Sequence, residues 1–354
     1  MAPLDLVGVR RDLHRHPELS MRERRTAGVV ERALRGMGLR PRRCAGTGVL
    51  AEVRGPAPGP TILLRADMDA LPIQEVAGRP HGSRNPGVMH ACGHDGHTAI
   101  LLGAAERLAV RPPARGRVRL CFQPGEEGAD GARAMVRDGA LKAPVPDAAA
   151  GLHLWSHLPS GKAAVLDGPC MAAVDRFVIR VHGKGGHAAY PHAAVDPVVA
   201  AAQIVVGLQS LVSRRTDPRD SAVVTVGRLS AGSAFNVIPP VAEIEGTVRT
   251  YRERTRRRLA RELRALASSV ARGFGARAEV EHEFQLPPTV NDAGMAALAR
   301  EAAIEVLGRR NVVPAEPSMG GEDVGVLFGR NPGVFLFLGC RNAKRGIVHE
   351  HHHP

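Results

Sequence analysis

Aromatic side chains are scarce in this chain, with one Trp, two Tyr and eight Phe in 354 residues. So few rings leave no stacking platform for single-stranded nucleic acid. Lysine is scarcer still, at four of the 48 basic residues. The net charge of +13 therefore rests on Arg, which is scattered among Ala, Gly and Pro. That distribution reads as a coding bias and argues against a nucleic-acid partner, although it attracts anionic substrates modestly. No apolar run approaches the roughly 18 residues of a membrane helix, which excludes a spanning segment and argues against a membrane partner. Met1 to Arg11 lacks the apolar stretch of a signal peptide, so the cytoplasm is the expected compartment. The cysteines, Cys44, Cys92, Cys121, Cys170 and Cys340, are odd in number and far apart. They argue against a disulfide framework, and any Cys that matters is expected to be a ligand or a nucleophile. There is no P-loop and no Gly-x-Ser-x-Gly elbow.

Hydrophobic residues make up 44% of the chain and charged residues 23%, enough to bury a core, and the length favours two domains. Arg10 to Gly38 reads as an amphipathic helical stretch broken near Pro17. Val49–Val53 and Thr61–Arg65, separated by Gly55-Pro56-Ala57-Pro58-Gly59, predict a hairpin-like pair of strands. Thr98–Val110 predicts an apolar helix, Arg117–Phe122 a buried strand, Ala132–Gly139 a helix and Ala148–Leu154 a strand. Alternating strands and helices imply an α/β layer with a mostly parallel sheet. Between Arg176 and Phe284 the order becomes β-α-β-β-α-β, the ferredoxin-like arrangement. The helix–strand pattern then resumes with Ala293–Leu307 and Val334–Leu338. The expected division is a discontinuous domain of residues 1–172 and 285–354, and an inserted α+β module of residues 173–284. Linkers near Pro169–Ala173 and Gln285–Pro288 suit a hinge.

The densest chemical signal is Met89-His90-Ala91-Cys92-Gly93-His94-Asp95-Gly96-His97. A lone His at a helix start is more often a hydrogen-bonding residue. Three His and a Cys within eight residues point instead to a metal. Gln123-Pro124-Gly125-Glu126-Glu127-Gly128 follows a predicted strand. Alone it also fits a solvated acidic turn, but adjacent carboxylates at a strand end repel unless a cation compensates. One Glu then binds metal while its neighbour serves as general base. Gly151-Leu152-His153 and Asp67-Met68-Asp69 lie at further strand ends. Gly183-Lys184-Gly185-Gly186 resembles a phosphate cradle but lacks the Lys-Ser/Thr pair, and reads as a tight turn carrying His187.

Taken in order, these residues resemble the M20 metallopeptidases, in the aminoacylase/hippurate hydrolase and auxin-conjugate hydrolase branch. The resemblance runs from Asp12-Leu13-His14-Arg15-His16-Pro17-Glu18-Leu19-Ser20 through Arg65-Ala66-Asp67-Met68-Asp69-Ala70-Leu71-Pro72 and the segments above. It continues through Gly185 to His192, Phe235-Asn236-Val237-Ile238-Pro239, Gly246-Thr247-Val248-Arg249-Thr250 and Met319-Gly320-Gly321-Glu322-Asp323. It implies two divalent metal ions held by Cys92, His94, Glu127, His153 and His352, the last from a closing His-x-Pro motif. A Cys ligand favours zinc, cobalt or nickel, and imidazole with carboxylate also suits manganese. The resemblance makes Glu126 the general base and Asp69 an acid that orients a ligand. Asp67 stands where related branches carry a metal-binding His. It makes His187, Asn236 and Arg249, on the inserted module, substrate-closing residues, with His187 often supplied by the partner of a homodimer. The implied reaction is hydrolysis of an N-acyl amino acid amide. Deacetylation of N-acetyl-diaminopimelate and di- or aminopeptidase activity are the alternatives within the family, and an inactive metal-binding homologue the alternative outside it. Family members usually continue some tens of residues past His-x-Pro, whereas this sequence stops at Pro354, so the last ligand is expected to lack an anchoring segment behind it.

Overall fold

The computed structural model describes residues 3–128 and 130–353. The chain divides into two compact units, one of Met1–Gly168, Val290–Glu316 and Asp323–Pro354, the other of Pro169–Thr289 and Pro317–Glu322. The first unit opens with α1 (Leu6–Arg15) and α2 (Arg24–Gly36), interrupted around Pro17, which has no backbone donor for a helix. There follow β1 (Gly48–Arg54), β2 (Ala57–Asp67), α3 (His94–Val110), β3 (Arg115–Gln123), α4 (Gly131–Arg137) and β4 (Ala148–Pro159). The second unit contains β5 (Ala173–His182), α5 (Pro197–Ser213), β6 (Ala222–Ala231), β7 (Val241–Thr250), α6 (Glu253–Gly273) and β8 (Arg277–Leu286). The chain then returns as α7 (Ala293–Leu307), α8 (Val324–Phe328) and β9 (Gly333–Arg341).

Seven strands form the sheet of the first unit, in the order Arg42–Cys44, β1, β3, β2, β4, β9, Ala163–Ala164. The central four, β3, β2, β4 and β9, are parallel, and the flanking strands are antiparallel to their neighbours. The hairpin expected of β1 and β2 does not form, because β3 lies between them. Val49 faces Phe122 on one side of β3, and Ile62 faces Val118 on the other. A strand as buried as β3 gains more from two hydrogen-bonded neighbours than from an edge position. The connection crosses the start of β3 at Gly116, whose φ is +73°. A Cβ there would lie 2.1 Å from the Pro60 carbonyl oxygen, so only glycine lets the two backbones pass. Ala27, Val30 and Leu34 of α2 and Leu101, Leu102 and Ala105 of α3 pack on β1 and β3 through Val49, Ala51, Val53, Leu120 and Phe122.

The sheet of the second unit has the order β8, β5, β7, β6, antiparallel throughout, the ferredoxin-like order. Ile204, Leu208 and Leu211 of α5 and Leu259 and Leu263 of α6 cover one face, against Phe177, Ile179, Ile244 and Val248. The other face carries cross-strand ion pairs, among them Arg180 with Glu243 and Glu281, and Arg228 with Glu245. One detail differs from expectation. Gly183 to Gly186 form no tight turn: Lys184 bridges Val195, and Gly186–His187 pairs with Val237–Ile238. A Cβ on Gly183 would lie 2.2 Å from the Val195 carbonyl oxygen, so close backbone approach explains that glycine. The turn comes after His187, where the Tyr190 N–H reaches the His187 carbonyl at 2.8 Å. Among the described residues, no helix is long and apolar enough to cross a membrane.

Candidate metal centre

The first unit delivers its chemistry from the carboxyl ends of β2, β3 and β4 and from the start of α3, where open α/β sheets hold ligands. The helix begins at His94, four residues earlier than the apolar pattern suggests, because Gly93 at φ +91° turns the chain into it. This puts His94 and His97 in the same first turn, with Cys92 just outside it. Cys92 Sγ lies 3.4 Å from His153 Nε2. His94 Nε2 lies 3.8 Å from Glu127 Oε1, and His352 Nε2 lies 3.7 Å from that same oxygen. Donor atoms of Cys92, His94 and His153 fall within 4.8 Å of one another, as do those of Cys92, Glu127 and His352, and of His94, Glu126 and Glu127. All five proposed ligands and the proposed base therefore meet in one place. His352 is positioned by its own N–H, which donates to the Ala91 carbonyl at 3.0 Å. Pro354, the end of the closing motif, lies outside the described residues.

Buried carboxylates set the geometry of these donors. Asp69 accepts from Ser20 Oγ at 2.6 Å and from the Glu127 N–H at 3.0 Å, and its other oxygen lies 3.2 Å from His94 Nδ1. One acid thus orients a ligand imidazole and the loop carrying both glutamates. Asp67 accepts from Arg65 at 2.8 Å and from His97 Nδ1 at 2.6 Å. Arg65 also reaches Gln123 and Asp323, tying the ends of β2 and β3 to the start of α8. The Gly125 N–H donates to buried Glu23 at 2.8 Å.

The electrostatics suit a cation. Burial pushes the Cys92 thiol up to about 12. Burial disfavours charge on His94, yet Asp67, Cys92 and Asp69 outweigh it and raise the imidazole well above its ordinary range. Burial and the nearby His97 hold His153 well below that range. His94 Nε2 and Glu127 Oε1 are buried with no hydrogen-bond partner among the described residues. A metal ion would satisfy both atoms and would replace the His94 proton as the cation facing the carboxylates. The mixture of thiol, imidazole and carboxylate is a donor set for zinc, cobalt, nickel or manganese.

Residues 63–354 match the model of peptidase family M20/M25/M40. The chain belongs to this family. An N-acetyl-L-cysteine deacetylase of Bacillus subtilis is 42% identical over 351 residues, covering 99% of this chain and 82% of the relative. An IAA-amino acid hydrolase of Arabidopsis thaliana is 40% identical over 355 residues, covering 99% and 80%. A crystal structure of a dinuclear metal-binding M20 peptidase from Bacillus subtilis superposes with a TM-score of 0.87 at 41% identity, covering 99% of this chain and 90% of that one. As a member of this M20 group, the chain is a metal-dependent amidohydrolase.

The second unit holds the remaining expected M20 residues. His187 pairs in register with Val237, and the Ala188 N–H donates to the Asn236 carbonyl at 3.0 Å. His187 and Asn236 therefore share one exposed loop cluster, beside Phe235, which is wholly exposed. Arg249 is not brought to them. His182, five residues before His187, faces Val241, whereas Arg249 faces Val174 eight residues further along β7, about 26 Å at the usual rise of a strand. Burial, partly offset by Asp175, lowers the Arg249 pKa.

Sequence reasoning missed His97 as a structural partner of the centre, together with Ser20, Glu23 and the Arg65–Gln123–Asp323 network. The i, i+3 spacing of His94 and His97 was visible. Nothing in it told which of the two would have both ring nitrogens engaged by protein.

Proposed function

We propose that this amidohydrolase cleaves N-acyl amino acids to a carboxylate and a free amino acid. In this reading Cys92, His94, Glu127, His153 and His352 hold two divalent ions. The observation that carries it is the half-buried Glu126 carboxylate, grouped within 4.8 Å of donor atoms on His94 and Glu127. Glu126 is thus beside the metal donors without being needed as one, the position of a general base. The activities named for the deacetylase and auxin-conjugate relatives support the substrate class.

Bound divalent ions supply Lewis acidity and a more acidic water. Glu126 removes the water proton and hands it to the leaving amine, so the amine departs neutral. Asp69 keeps His94 and the Glu126–Glu127 loop aligned through its three contacts. His187 donates to the oxyanion of the tetrahedral carbon with Asn236 beside it, and Arg249, distant from both in its own chain, serves the substrate carboxylate only if His187 comes from the other copy of the homodimer. The assembly in this reading is a homodimer. Val198, Val199, Ala202 and Val206 leave an exposed apolar stripe on α5, suited to a second copy. Leu208, equally apolar and on the same helix, is fully buried in the unit's own core.

The test is release of free amine from N-acetyl, N-benzoyl and indole-acyl amino acids by protein loaded in turn with manganese, zinc, cobalt and nickel. Glu126→Ala should keep its fold and metal and lose at least about 10²-fold in rate. Near-normal turnover in that variant would remove Glu126 from the mechanism. Absence of amine release from every substrate would reject the substrate class.

A further inference from the structure

Leu154 is the meeting point of three histidines. Its N–H donates to His97 Nε2 at 2.8 Å, and its carbonyl lies 2.6 Å from His153 Nδ1 and 2.8 Å from His351 Nε2. The regular ladder between β2 and β4 ends at Gly151, so His97, from α3, supplies the acceptor that a strand would otherwise provide. These contacts fix the tautomers. A backbone N–H only donates, so His97 Nε2 is bare and its proton sits on Nδ1, pointing at Asp67 Oδ1 2.6 Å away. A carbonyl only accepts, so His153 carries its proton on Nδ1 and turns Nε2 toward Cys92.

We propose that His97 is a positioning residue that links the Asp67 carboxylate, through the backbone of Leu154, to the ligand His153. His97 is no metal ligand, although its donor atoms lie among those of Asp67 and His94, because both of its nitrogens are already engaged. The Leu154 N–H and carbonyl belong to consecutive peptide groups, so the link is one of position: His97, held by Asp67, fixes the Leu154 backbone, and the Leu154 carbonyl sets the orientation of the His153 ring and the tautomer it presents. The geometry stands without an ion; the consequence for metal binding rests on the metal reading of this centre.

Two measurements test it. In zinc-loaded protein labelled with ¹⁵N-histidine, long-range ¹H–¹⁵N spectra should show His97 protonated at Nδ1 with Nε2 bare, assigned by its loss in His97→Leu or His97→Gln. A proton on Nε2 of His97, or zinc on either of its nitrogens, overturns the proposal, and this holds even if His97→Leu fails to fold. Cobalt titration followed by visible absorption, which reads ligand geometry and not fold alone, should show affinity about 10- to 100-fold weaker in His97→Leu. His97→Gln, which still offers one donor and one acceptor, should recover part of that loss. Wild-type affinity and spectrum in folded His97→Leu overturn this proposal alone, whereas wild-type protein that takes up no metal overturns the metal reading along with it.

Discussion

His14 shows how a single side chain near the centre couples stability to pH. Its Nδ1 lies 2.9 Å from Asp95 and its Nε2 lies 3.2 Å from Glu75. Burial resists a charge on this ring, but Asp95 and Glu75 overcome it and raise its pKa above the ordinary value. Both nitrogens facing carboxylates suits the imidazolium. A histidine raised on folding contributes stability that is complete below its unfolded pKa, about 6.5, and fades as pH climbs through the raised folded value. Denaturant unfolding of wild type and His14→Gln should therefore differ most on the acid side of neutrality. The gap should shrink as pH rises, and a gap constant from about pH 5 to 9 would show that His14 contributes packing and no charge. The same scale separates what was legible from what was not. Cys92, His94, Glu127 and His153 stand out because their residue types crowd into short motifs. His97 has the same type and motif as His94, but its role depends on an N–H supplied from residue 154.

Among elements, α3 and α4 both start with a glycine, Gly93 just before the first and Gly131 as the first residue of the second, for different reasons. Gly93 sits at φ +91°, and a Cβ there would meet Leu154 Cδ1 at an ordinary 3.5 Å. Gly93→Ala should thus suffer backbone strain alone, about 1–2 kcal/mol, read as a shifted denaturant midpoint in a folded protein. At Gly131 a Cβ would lie 1.7 Å from the Pro124 carbonyl oxygen, in the loop that carries Glu126 and Glu127. No side-chain rotation relieves that collision, so Gly131→Ala should displace the loop and lose both metal and activity. Equal behaviour of the two variants would contradict this distinction. Element types followed from local periodicity, as with α5, where Asp196 caps the helix through the Val198 N–H and Pro197 opens it. Pairing did not, because β3 enters between β1 and β2 from more than 45 residues away in the chain. Contacts across such distances leave no mark on a local pattern.

At the scale of the whole molecule, the second unit offers two unlike sheet edges. β8 presents Arg277, Glu279, Glu281 and Glu283 as exposed charges, a usual guard against edge pairing. β6 ends in exposed, largely uncharged residues, Leu229, Ser230 and Ala231, and α5 packs beside it with its apolar stripe outward. The proposed homodimer therefore uses the β6 and α5 side. Val206, 67% exposed, is the position to test: Val206→Glu should shift the protein to monomer in sedimentation while each chain stays folded. If His187 serves a neighbouring subunit, mixing His187→Ala with Glu126→Ala subunits should restore part of the activity that each lacks. A mixture as inactive as its parents, after proven exchange, would confine His187 to its own chain.

The order and type of the principal elements, the family and the cluster of metal-type residues were readable from the sequence, because each depends on residue chemistry within short windows or on motifs in order; the short strands Arg42–Cys44 and Ala163–Ala164 and the one-turn α8 were not. Which face of α5 turns inward was not readable, since Leu208 and Val206 are both apolar and only packing against β5 and β7 separates them. The division of labour among the histidines was equally hidden. Whether an imidazole nitrogen is left for a metal depends on which backbone groups reach it, and folding brings those groups from distant strands.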